Sequence, residues 1–134
     1  MRFFRIYGLS ILSSLGVLYL SILRDVSPLH LPKIPYFDKV AHCGLYLVLS
    51  AVICFELYRQ RYTFSDKIMW AFGLCFPILY GGMMELLQEY YFPPRTGDWS
   101  DWIADIIGVF VAFFLCKKLL PKYVKPENQG ISCR

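Results

Sequence analysis

Apolar side chains dominate four long stretches of this chain, about Phe4 to Leu23, about Val40 to Leu57, about Ile68 to Tyr91 and about Trp99 to Leu119. Each holds about 20 residues, enough for a helix rising 1.5 Å per residue to cross a hydrocarbon core of roughly 30 Å. The pattern predicts an all-α protein, one membrane domain over residues 1–134 built as a bundle of four transmembrane helices. Short connections join the spans, and residues 120–134 form a polar tail.

Composition sharpens this reading. Of 134 residues, 57% are hydrophobic and 18% aromatic, well above the needs of a soluble domain of this length. A signal peptide is the rival for the first stretch, because Arg2 and Arg5 precede an apolar run with Ser and Gly. That run has the length of a full span, and Ser21 to Asp25 lacks a small-x-small cleavage pattern, so a retained helix is expected.

Basic residues set the expected orientation. Arg2, Arg5, Arg59, Arg61, Lys67, Lys117, Lys118, Lys122, Lys125 and Arg134 fall on one side of the spans; only Arg24, Lys33, Lys39 and Arg95 fall on the other. Lys and Arg near span ends favour the cytoplasmic face, which puts both termini inside and the two proline-containing loops outside. The net charge of +4 is thus a topology signal, and no nucleic-acid partner is expected. Cys43, Cys54, Cys75, Cys116 and Cys133 show no metal or redox spacing and read as apolar fillers. Gly73, Pro77 and Gly81 recur every four residues, which suits a close-packing seam between helices or a kink that opens a cavity. Most Tyr and Trp lie near span ends, as in an interfacial belt, whereas Tyr46 and Tyr80 sit deeper.

Polar residues in three segments converge on the outer level. Asp38 and His42 are four apart at the start of the second helix; Glu85 and Gln88 lie near the end of the third; Asp98, Asp101 and Asp105 share one face at the start of the fourth. Arg95 lies in the hairpin between the last two helices, within reach of Glu85, Gln88 and Asp101. Each residue has a plain structural alternative. Asp98 suits a helix N-cap, Lys39 can snorkel to headgroups, His42 can be a packed core histidine, and Glu89 beside Tyr90 can mark a span end. Glu85 lies about two turns inside its helix, where a carboxyl group needs Arg95, His42, a metal or a proton to be tolerated.

Phe37-Asp38-Lys39-Val40-Ala41-His42, Glu85-Leu86-Leu87-Gln88 and Phe92-Pro93-Pro94-Arg95, followed by Asp98, Asp101, Asp105 and Gly108, together resemble the pattern of the VanZ-like family of small bacterial membrane proteins. The resemblance runs from about Tyr36 to about Leu115. It departs at Asp105, where family members commonly carry Asn, so this site holds one extra negative charge or one extra proton. The name-giving member is associated with low-level resistance to the glycopeptide teicoplanin. The resemblance therefore implies the cell envelope as the place of action and an effect on glycopeptide susceptibility as a hypothesis.

The residues themselves suggest a site that binds or processes a phosphate-bearing envelope lipid, such as a polyprenyl phosphate or a cell-wall precursor. Arg95 and Lys39 would hold the anionic head group. His42 with Asp38 would act as general base or acid, with Glu85 as counterpart and Asp101 beside them as a further catalytic candidate. Gln88, Asp98 and Asp105 complete the candidate ligand set. Several carboxylates near one phosphate repel it unless a divalent ion bridges them. Asp98, Asp101, Asp105 and Glu85 offer oxygen ligands for Mg²⁺ or Ca²⁺, and His42 extends the choice to Zn²⁺ or Mn²⁺, although no standard metal motif is present. Two alternatives stay open: a non-catalytic protein that shields or binds a precursor or antibiotic, and a small proton-coupled transporter. Against the transporter stand the clustering of acids at one leaflet and the lack of a polar path along the first helix.

Overall fold

The structure is a computed structural model that describes residues 2–23, 36–60, 66–91 and 97–124. Arg95, together with the rest of 92–96, lies outside the described residues. The described residues are all-helical: α1 (Arg2–Leu23), α2 (Phe37–Arg59), α3 (Asp66–Tyr91) and α4 (Trp99–Tyr123). By length and apolarity α2 and α3 are able to cross a membrane, while the apolar part of α1, Tyr7–Ser21, is shorter. Residues 120–123, expected as the start of a polar tail, continue α4, because Leu120 is buried in the core and the Val124 N–H closes the helix on the Leu120 carbonyl at 2.9 Å.

Contacts between the helices give an up-down-up-down arrangement. Glu56 near the end of α2 meets Ser10 near the start of α1, Gln88 near the end of α3 meets Ser21 near the end of α1, and Lys39 meets Asp101 where α2 and α4 both begin. Tyr46, Leu49, Ile53, Cys54, Leu74, Val109 and Phe113 form the core between α2, α3 and α4. Large apolar side chains also face outward at helical spacing: Leu9, Leu12, Leu15 and Tyr19 on α1, Phe72, Phe76, Leu79, Met83 and Leu86 on α3, and Ile103, Ile107, Phe110 and Phe114 on α4. Soluble monomers rarely expose contiguous apolar surface on this scale. A hydrocarbon solvent removes the conflict.

Glycines decide how closely the helices approach. At Gly108 an added Cβ would run into the Cys43 carbonyl oxygen and come within 3.1 Å of the Leu47 nitrogen, so α2 and α4 touch backbone to backbone. At Gly73 it would meet Cys54 Sγ at 2.7 Å, and at Gly81 it would meet Asp105 Oδ2 at 2.9 Å. The Gly73, Pro77, Gly81 repeat is therefore a packing seam. Its proline also reshapes α3. Residues Met69–Cys75 form a π-helical segment, closed by the Phe76 N–H on the Ala71 carbonyl five residues back. Pro77 has no N–H to offer the Gly73 carbonyl four residues back, and the buried Ser50 hydroxyl of α2 donates to it at 2.7 Å.

A second irregularity lies in α1, where Tyr7 leaves helical geometry (φ −112°, ψ 15°). The kink starts a new helical segment with unpaired N–H groups, as at any helix N-terminus. Glu56 of α2 supplies the acceptors: its Oε1 takes the Leu9 N–H at 3.0 Å, and its Oε2 takes the Ser10 N–H at 3.1 Å and the Ser10 hydroxyl.

Candidate functional site

Two acidic side chains at the end of α3 tie down the start of α4. Glu89 Oε2 accepts the Gly97 N–H at 2.7 Å, and Glu85 Oε2 accepts the Asp98 N–H at 3.0 Å. Gly97 has to lack a side chain, since a Cβ there would lie 2.7 Å from the Glu85 carbonyl oxygen. Asp98 then caps α4: its Oδ1 accepts the Ser100 N–H at 2.8 Å and the Ser100 hydroxyl at 2.6 Å. From this cap Asp101 and Asp105 follow on the face turned toward α2.

Lys39 of α2 meets that face. Its ammonium donates to Asp98 Oδ2 at 3.2 Å, to Asp101 Oδ1 at 3.0 Å and to the Ser100 hydroxyl, which uses its three donors. One turn deeper, His42 Nδ1 lies 3.2 Å from Asp105 Oδ1, with both side chains buried. The intrahelical spacing suggested Asp38 as the partner of His42; the hydrogen bond instead crosses to α4, because the close approach at Gly108 brings Asp105 alongside His42. Asp38 stays near: one ligand atom each of Asp38, His42 and Asp101 lie within 4.8 Å of one another, and the same holds for His42, Glu85 and Asp105. Gln88, expected in the ligand set, turns to α1 and donates to the Ser21 carbonyl at 3.2 Å.

The site has an exposed rim and a buried floor. Asp98 is exposed and Asp38 half-buried, whereas His42, Glu85, Gln88, Asp101 and Asp105 are all at most 6% exposed. On the floor, Glu85 Oε1, Asp105 Oδ2 and the Tyr46 hydroxyl have no hydrogen-bond partner among the described residues. Buried polar atoms of this kind are costly when left unpaired. Such an arrangement can accept a proton or a cation at its floor and a polar group at its rim.

At the rim, the two Ser100 hydrogen bonds and Lys39 hold the Asp98 carboxyl well below the usual carboxylate range, at about 2. The unfolded chain, with Asp near 3.9, binds more protons between these values, so Asp98 contributes stability that is fully present above about pH 4 and lost toward pH 2. Asp98→Ala is expected to cost about 1 kcal/mol, the usual value of an N-cap, and to flatten this acid dependence. Thermal unfolding in mild detergent from pH 6 to pH 2 measures both effects.

Three contributors were not evident from the sequence. Ser100 was hidden as a small polar residue between Trp99 and Asp101, although a serine two residues after a capping Asp98 is a weak signal. Tyr46 stood out only as a deep tyrosine, and its unpaired hydroxyl depends on packing. Ser21 joins through its backbone, which no side-chain pattern reveals. Comparison of the chain with family models, with curated proteins and with solved structures gives no match.

Proposed function

We propose that this is a four-span integral membrane protein of the bacterial cell envelope, VanZ-like in its site pattern, with both termini cytoplasmic. Its helix-end cluster binds, and is built to process, the head group of a phosphate-bearing envelope lipid. The observation that carries this reading is the convergence of Lys39, His42, Glu85, Asp101 and Asp105 from three helices at one end of an apolar bundle. Ionisable groups at such depth are expensive, and a ligand that pairs with them is the usual reason they are present. The outward-facing apolar stripes support lipid as the surrounding medium. The basic residues at the opposite end, Arg59, Lys67, Lys117, Lys118 and Lys122, support the assignment of that end to the cytoplasm.

Lys39 has its donors committed to Asp98, Ser100 and Asp101, so its part in this reading is to hold the acidic rim together. Arg95 of the α3–α4 connection is the cation that this reading assigns to the phosphate, through bidentate guanidinium bonds. His42, oriented by Asp105, would stand with Glu85 beneath the head group, with Asp101 beside them and Asp38 at the mouth as the acids that would exchange a proton there.

Native mass spectrometry in mild detergent, with a polyprenyl phosphate and the matching uncharged polyprenol, tests the proposal. The phosphate lipid alone should be retained. Arg95→Ala should weaken retention by roughly tenfold or more, the worth of a charge-assisted hydrogen bond of at least about 1.5 kcal/mol, and leave elution of the protein unchanged. Equal retention of both lipids, or of the phosphate lipid by both proteins, would remove the basis for the reading.

A further inference from the structure

The floor of the site poses a charge problem that its hydrogen bonds leave unsolved. Glu85 and Asp105 approach one another from α3 and α4 beside His42 of α2, with one ligand atom of each within 4.8 Å of the other two. All three residues are nearly sealed, at 4% exposure for His42 and Glu85 and 1% for Asp105. Two carboxylates this close and this buried repel, and they are tolerated only with a shared proton or a cation between them. Lys39 cannot be that cation, because Asp98, Ser100 and Asp101 occupy its donors.

Three further details point to a cation. Each carboxyl group spends one oxygen on a protein partner, Glu85 Oε2 on the Asp98 N–H and Asp105 Oδ1 on His42, and leaves the other, Oε1 and Oδ2, unpaired. The free Asp105 oxygen is turned toward Gly81, where any larger residue would collide with it: an added Cβ would lie 2.9 Å away. The space beside that oxygen exists because the residue is glycine. Finally, one ligand atom of His42 also lies within 4.8 Å of one each of Asp38 and Asp101, and the half-buried Asp38 stands at the rim, which gives an acidic route from the rim to the floor.

We propose that His42, Glu85 and Asp105 bind one divalent transition-metal ion between α2, α3 and α4. One imidazole nitrogen with carboxylate oxygens favours Mn²⁺ or Zn²⁺ over Mg²⁺ and Ca²⁺, which prefer all-oxygen surroundings. Ligand atoms about 2.0–2.2 Å from an ion stand roughly 3–4 Å from one another, so modest side-chain rotations close the triad around it. The metal would neutralise the buried acids and present a positive face toward the rim, where a phosphate oxygen could complete its coordination. The site rests on reading this cluster as a ligand site, and it stands independently of the lipid.

The test is titration of the chelator-treated, full-length protein in mild detergent with MnCl₂ and with ZnCl₂. Calorimetry and, for Mn²⁺, loss of the free-ion electron paramagnetic resonance signal report binding. One ion per chain is expected. His42→Ala, Glu85→Gln and Asp105→Asn should each weaken it at least tenfold, whereas Asp66→Asn, an acid at the opposite end of α3, should leave it unchanged. Because a floor variant can also misfold, the wild-type protein supplies a second readout: its unfolding temperature should rise with Mn²⁺ or Zn²⁺ and not with Mg²⁺. No saturable binding and no such rise, or binding that survives in all three variants, would overturn the assignment. Lipid retention by a protein that takes no metal would overturn it and spare the lipid reading. Metal binding by a protein that retains no lipid would uphold it and sink the lipid reading.

Discussion

Glu56→Ala is expected to destabilise the protein by about 3–5 kcal/mol, on the basis of two stranded backbone donors at about 1–3 kcal/mol each and a higher cost in lipid. The kink at Tyr7 strips α1 of its regular bonding just before Leu9 and Ser10, and the Glu56 carboxyl group takes both of their N–H groups. Glu56 is itself buried, at 6% exposure, so water does not readily replace it. Glu56→Gln keeps one side-chain oxygen and should fall between alanine and wild type. Ser10→Ala removes only the hydroxyl and should cost least. Unfolding in mixed micelles orders the three variants, and a near-neutral Glu56→Ala would mean that α1 straightens and repairs its own bonds.

Gly108→Ala should be comparably severe, at about 3 kcal/mol or more, the upper end of overpacking effects. The obstacle is the Cys43 carbonyl and the Leu47 nitrogen, which are backbone atoms that cannot swing aside as a side-chain tip can. Relief requires α2 and α4 to separate, and this lengthens the His42–Asp105 bond that the close approach makes possible. The variant should therefore lose the floor of the site along with its stability. Gly73→Ala meets the end of the Cys54 side chain and should be milder. Comparing the two by thermal unfolding, with the proton resonances of His42 as a local probe, separates a backbone clash from a side-chain one. Equal effects would show that α2 and α4 are free to shift.

The four helices were legible because long apolar runs need only counting, and α2 and α3 extend at most three residues beyond their expected ends. The gathering of Asp38, His42, Glu85, Asp101 and Asp105 was legible as well, since up-down topology brings the ends of α3 and the starts of α2 and α4 to one level. Their pairing was not. Spacing alone cannot tell an i,i+4 neighbour such as Asp38 from a cross-helix partner such as Asp105; the choice depends on how near Gly108 lets α4 come. Glu56 escaped notice for a similar reason. No proline or glycine pair marks the bend at Tyr7, so a lone glutamate within an apolar helix had no visible client. Side-chain patterns also do not show the backbone acceptors of α1: Tyr80 donates to the Ser14 carbonyl at 2.8 Å and Gln88 to that of Ser21. Carbonyls accept hydrogen bonds but do not relay protons, so these contacts join helices and supply no proton wire.

The central claim is a membrane bundle whose acidic, histidine-bearing end opens to the outer face. Single cysteines at Asp38 and at Lys67, in a background with the five native cysteines changed to alanine, test it with a membrane-impermeant maleimide on intact cells. The account predicts labelling at position 38 on intact cells and labelling at position 67 only after permeabilisation. The reverse pattern, or free labelling at both positions, would contradict it.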